Sequence, residues 1–214
     1  MMDKSLSAQA ALTISSVKRI QGRAVLTLSN GEVLSMPRAM LKERPYRSGM
    51  PFDKAAFESL INERSYPFAM DKAVALLSLR SRTEKEIAES LRKNAYPEKT
   101  IARVMARLLE AGYINDAAFA ENWAASRTNK GMGSRRIRME LKHKGVHQDE
   151  IDSVLSSIDE EDMLAGAIKT AEKAARGKDL KSPADRQKLM AALARRGYDY
   201  AAAKQALQAI INQT

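Results

Sequence analysis

The chain has 214 residues, of which 44% are hydrophobic and 29% charged, enough to bury a core as one elongated domain or two small ones. Without cysteine it can hold no disulfide, thiol nucleophile or cysteine-based zinc site, and without an apolar run of about 18 residues it offers no membrane helix. Thirty-six Lys plus Arg against 26 Asp plus Glu leave a net charge of +10, which favours a polyanionic partner.

The opening "MMDKSLSAQAALTISS" lacks the apolar stretch of a secretory signal, so a cytoplasmic protein is expected. In "AVLTLSNGEVLSM", Asn30-Gly31 separates two runs rich in Val, Leu and Thr. That pattern predicts a type I′ hairpin within a small β element over about Leu12 to Met36. Pro37, Pro45, Gly49 and Pro51 then punctuate the chain, and "FDKAAFESLINERSY" predicts a short amphipathic helix with Phe57, Leu60 and Ile61 on one side.

From Tyr66 onward the signals are helical and they recur. "IAESLRKNAYPEKTIARVMARL", "IRMELKHKGVHQDEIDSVLSSI" and "LMAALARRGYDYAAAKQALQAI" align without a gap from Ile87, Ile137 and Leu189. Each is followed four residues on by Leu91, Leu141 and Leu193, which places every pair on one helical face. Ala95, Gly145 and Gly197 then coincide where a helix ends in a left-handed residue; Ala95 suits that conformation poorly, so Asn94 is the expected substitute. Tyr96, Val146 and Tyr198 follow, and a second helix after them.

The spacing between copies leaves room for a leading helix in each: "FAMDKAVALLSL", "DAAFAENWAAS" and "DMLAGAIKTAEKAA". A Thr83-x-x-Glu86 capping box and a Ser182-Pro183 start mark further boundaries. The predicted fold is mostly α, with tandem three-helix repeats in an elongated curved array behind the small N-terminal β element. The expected divisions are an extension over 1–64 and repeats over 65–115, 116–158 and 159–214.

The segment "RTNKGMGSRRIRMELKHKG", residues 127–145, concentrates the chemistry. Arg127, Lys130, Arg135, Arg136, Arg138, Lys142 and Lys144 face a single acid, Glu140, and charge elsewhere in the middle repeat is acidic. A phosphate-cradling P-loop needs a longer glycine run after a strand, and no strand signal precedes this one. Gly131 and Gly133 therefore read as determinants of loop geometry between two helices, with Ser134 placed to cap the second. Arg135, Arg138 and Lys142 share one flank of that helix, apart from the Ile137 and Leu141 stripe. Two readings stay open for them: a solvated face, or contact with a polyanion or acidic surface.

Other constellations are weaker. His143 and His147 are four apart, but Gly145 should end the helix between them, and no metal site is expected. Asp159-Glu160-Glu161-Asp162 opens a helix, where negative charge complements the dipole. Phe119 and Trp123 are spaced as core residues, with base stacking by Trp123 the alternative. No nucleophile constellation is readable, so no catalytic residue and no cofactor is expected. "YPEKTIARVMARLLEAGYI" has the cadence of a helix-turn-helix reader, which keeps an autonomous DNA-binding regulator as the alternative function.

"ALLSLRSRTEKEI", "LLEAGYINDAAFAENWAASR" and "KGMGSRRIRMELKHKGV" together resemble the RecX regulatory proteins, modulators of the bacterial recombinase RecA. The resemblance covers about Tyr66 to Ile210 and is looser in the third repeat. It implies a non-enzymatic monomer that lies along the groove of the RecA filament, with single-stranded DNA inside the filament as a further contact and no membrane partner. Such proteins restrain filament growth, ATP hydrolysis and strand exchange in recombination, DNA repair and the SOS response. On that reading the seven cations meet the recombinase filament or the DNA backbone.

Overall fold

The computed structural model describes residues 11–212, so the first ten residues, which carry most of the signal-peptide reading, lie outside it. The chain divides into two compact units: Met1–Ser81 with Ile87–Tyr113, and Arg82–Glu86 with Ile114–Thr214.

The first unit opens with an antiparallel meander of β1 (Ile14–Ile20), β2 (Arg23–Leu28) and β3 (Val33–Pro37), in that spatial order. Alternation along β2 buries Ala24, Leu26 and Leu28, which pack with Ile14, Met36 and Met40. The Asn30-Gly31 turn joins β2 to β3, but it is not type I′. That type needs positive φ at both central residues, and of the two only Gly31 has it, at 84°. Gly31 N–H donates to Leu28 O at 3.0 Å, which makes the connection a wider loop ending in a left-handed glycine.

Helix α1 (Lys54–Leu77) begins at Asp53, whose carboxylate accepts from Ala56 N at 3.0 Å. It runs unbroken through Pro67, where two separate helices were expected. Tertiary packing outweighs the proline. Phe57 and Ile61 bury against the sheet, with Tyr46 and Phe52 around Phe57 at centroid distances of 5.9 and 5.4 Å, and Ser65, Ala69 and Ala73 continue the buried face. The Ser65 hydroxyl meets that of Thr100 at 2.7 Å on α3 (Glu98–Glu110). Between α1 and α3 lies α2 (Glu84–Lys93).

The second unit carries α4 (Asp116–Asn129), α5 (Ser134–Lys144), α6 (Gln148–Ser156), α7 (Glu160–Ala175), α8 (Pro183–Arg196) and α9 (Tyr200–Asn212). The repeat register holds at atomic level. Ile87, Leu91, Ile137, Leu141, Leu189 and Leu193 are all fully buried, and each middle helix ends on the same bond, from Tyr96, Val146 or Tyr198 N–H to the carbonyl of Leu91, Leu141 or Leu193 at 3.2 Å.

The left-handed residue of the first repeat is Ala95 itself, at φ 62°, not Asn94. Asn94 instead donates its amide to Ser90 O at 2.6 Å. The Ala95 Cβ strains a position that glycine fills freely, so Ala95→Gly is expected to stabilise the protein by about 1 kcal/mol in urea titration, net of the extra chain entropy of glycine.

Within the second unit, the start of one middle helix seats on the end of the next. Thr83 Oγ1 donates to Lys144 O at 2.7 Å and Lys85 Nζ to His143 O at 3.0 Å, at the end of α5. One repeat later, Gly133 N–H donates to Arg196 O and Arg135 N–H to Gly197 O, both at 3.0 Å, at the end of α8. Orphan donors of one helix thereby satisfy orphan acceptors of another. Ser134 is accordingly the first residue of α5 rather than its cap, a place taken by Gly133 without a side-chain bond.

Candidate functional site

The basic segment runs from the last turn of α4 through α5. The structure sorts its seven cations into two sets. Arg127, Arg136, Arg138 and Lys144 are committed to acids, whereas Lys130, Arg135 and Lys142 hold no ion pair.

The committed set centres on Glu140. Its carboxylate accepts from Arg127 Nε at 2.6 Å, Arg136 Nε at 2.9 Å and Trp123 Nε1 at 3.1 Å. Arg127 lies over the Trp123 ring at 3.9 Å and Lys144 Nζ at 4.2 Å from its centroid, while Phe119 stacks at 5.6 Å. Lys144 also pairs with Glu86 at 2.8 Å. Trp123 is thus a structural ring held between cations and Phe119. Arg138 pairs with Asp152, which removes it from the free flank anticipated with Arg135 and Lys142.

Burial raises the Glu140 pKa, but hydrogen bonds from Arg127 and Arg136 outweigh it and hold the carboxyl below its ordinary value. A lowered folded pKa gives stability that is complete above the unfolded value of about 4.3 and lost as pH falls through the folded one. Glu140→Gln is therefore expected to cost about 2 kcal/mol at pH 7, and the gap to the unmodified protein should begin to narrow in parallel urea titrations only as pH falls below the unfolded value of about 4.3.

Arg135 and Lys142 are exposed and seven residues apart, so they stand two turns apart on one face of α5. Met139, 56% exposed, lies between them. The Gly112-to-Asp116 junction has a structural account as well. Asn115 Oδ1 accepts from Ala118 N at 2.9 Å to cap α4, and Asp116 Oδ1 accepts from Glu84 N at 3.0 Å at the start of α2.

Gly145, at φ 89°, ends α5, and His147 caps α6 with Glu150 closing the box, so His143 and His147 do not share a helix. Among the described residues, no group of three or more His, Asp or Glu side chains could hold a metal. On α3, the expected groove-reading helix, Arg107 pairs with Glu110 at 2.8 Å and Arg103 sits over Tyr66 at 4.6 Å. Lys169 and Lys173 on α7 and Arg195-Arg196 at the end of α8 lie outside the basic segment that stands out in the sequence; the four-residue spacing of the first pair is the one local signal they carry.

Repeated three-helix units and a shared helix-end geometry define a class: a tandem helical-repeat protein. Residues 69–108, 115–155 and 160–207 match the first, second and third three-helix domains of RecX. The chain is 34% identical over 171 residues to the regulatory protein RecX of Mycolicibacterium smegmatis, covering 75% of this chain and 89% of that one. With the RecX of Levilactobacillus brevis it shares 30% over 192 residues, covering 89% and 72%. The crystal structure of RecX from Lactobacillus salivarius has the same fold at a TM-score of 0.65 and 23% identity, over 69% of this chain and 97% of that one. A further RecX crystal structure matches at a TM-score of 0.62 and 21% identity, over 95% and 100%. The chain belongs to the RecX family of regulatory proteins. No helix among the described residues is long and apolar enough to cross a membrane.

Proposed function

We propose that this protein binds the RecA filament on single-stranded DNA along its groove and restrains filament extension, ATP hydrolysis and strand exchange, without chemistry of its own. The reading takes the repeats over 65–115, 116–158 and 159–214 as successive contact modules, each adding a modest affinity to a tethered whole. It places the work in the cytoplasm, where the recombinase acts.

The observation that carries it is the Arg135–Met139–Lys142 stripe. Two unpaired cations bracketing an exposed apolar side chain suit a protein surface that is acidic and partly apolar better than they suit bare phosphate, which offers nothing to the methionine. The autonomous DNA-binding alternative loses ground on α3, where two of the cations available to a groove are already engaged. The test is direct: purified protein mixed with RecA, ATP and single-stranded DNA should slow ATP hydrolysis in a dose-dependent way. Unchanged hydrolysis at a severalfold excess would overturn the proposal.

A further inference from the structure

Where the turn after α4 faces α7 and the end of α8, the second unit encloses a cleft of about 540 Å³. Five cations line it: Lys130, Lys169, Lys173, Arg195 and Arg196. No carboxylate lines it, and none of the five holds an ion pair, although four of the seven cations in the neighbouring basic segment do. Like charges gathered around one hollow repel each other at a range where salt screens only in part, so an anion seated there relieves a standing cost.

One neutral group points the same way. Thr128 lines the cleft, and its hydroxyl is buried without a hydrogen-bond partner, while the Thr170 hydroxyl is engaged with that of Tyr198 and donates to Gly131 O at 3.5 Å. The Thr128 hydroxyl therefore keeps a proton that nothing else accepts. Gly131 and Gly166 let the walls of the cleft approach closely: a Cβ on the first would come within 2.7 Å of Thr170 Oγ1, and on the second within 3.0 Å of the Tyr198 hydroxyl. No aromatic side chain lines the cleft, so it has no platform on which to stack a base.

We propose that this cleft is a phosphate-binding site, its five cations taking phosphoryl oxygens. Arg and Lys together suit a ligand with several oxygens and more than one negative charge, whereas a single carboxylate would leave most of the five cations unanswered. The phosphate can come from a nucleic-acid strand or from a free nucleotide, and in either case recognition ignores base identity. The site does not depend on the filament reading, because the protein alone should bind.

The test uses the full-length protein at low salt, with calorimetry against inorganic pyrophosphate and against ATP without metal, and fluorescence anisotropy with a labelled oligothymidylate of about 15 nucleotides. The variants are Lys169→Glu with Lys173→Glu, and Arg195→Glu separately, all at exposed positions and each checked by far-UV dichroism. Pyrophosphate affinity should fall by about tenfold or more in both variants and stay within about threefold of the unmodified protein in Arg135→Glu with Lys142→Glu. A parallel fall for the oligonucleotide assigns the phosphate to a strand; an unaffected oligonucleotide with lost ATP binding assigns it to a free nucleotide. Absence of pyrophosphate binding by the unmodified protein, or binding that the folded variants retain in full, would overturn the site. Neither result bears on whether the protein slows RecA, so the two proposals fail separately.

Discussion

Reversing Arg135 and Lys142 to Glu is expected to weaken the effect on RecA ATP hydrolysis by about tenfold to a hundredfold, while far-UV dichroism and melting temperature stay close to those of the unmodified protein. Both side chains are exposed and unpaired, so the fold gives up no partner when they change. The stripe moves from two positive charges to two negative ones, which should repel an acidic recombinase surface and a phosphate backbone alike. Raising the salt should imitate the loss in the unmodified protein, because contacts of this kind are screened. Arg138 is left out of the pair, since Glu there would face Asp152 and confound repulsion at the interface with repulsion inside the protein. The matched control is Gln187→Glu with Ala194→Glu, the equivalent positions one repeat later. Equal losses in both double variants, or full activity after reversal of the first pair, would return Arg135 and Lys142 to the category of a solvated face.

The largest stability effect is expected at Gly133. Its φ is −80°, which any residue adopts, so the strain argument that a glycine-rich loop invites does not apply. A Cβ would instead lie 2.4 Å from the carbonyl carbon and oxygen of Gly197 and from Tyr198 N. Those are backbone atoms at the end of α8 and cannot rotate away, so even Gly133→Ala should cost about 3 kcal/mol, and Gly133→Val more. Gly177 separates the two causes. At φ 73° with open space around its Cβ position, Gly177→Ala carries only the left-handed penalty of about 1 kcal/mol. A Gly133→Ala variant that unfolds in urea like the unmodified protein would show that the α5 start does not seat on α8 in solution.

Much of this molecule was legible because its repeats act as internal controls. Three gapless copies located the buried Ile–Leu and Leu–Leu pairs, the helix ends and the aromatic or valine that closes each end, since a 3.6-residue period and a left-handed stop are local properties of the chain. The concentration of cations over 127–144 was equally plain. Which of them are free was not, because pairing depends on what another helix brings: Asp152 from α6 to Arg138, and Glu86 from α2 to Lys144.

Two local readings gave way to tertiary contacts. Two separate helices were expected around Pro67, yet Phe57, Ile61 and Ser65 before it and Ala69 and Ala73 after it share the buried face of one continuous helix. Ser134 is a good cap in isolation, but Arg196 and Gly197 offer carbonyls that Gly133 and Arg135 reach directly. Fold class, repeat register and family were properties of the chain taken alone, because hydrophobic period and helix-stop chemistry are written within about 20 consecutive residues. The free cationic stripe, the seat of Gly133 on Gly197 and the basic cleft beside Gly131 were decided only in three dimensions, where groups far apart in sequence meet and electrostatic and steric energies depend on the distance between them.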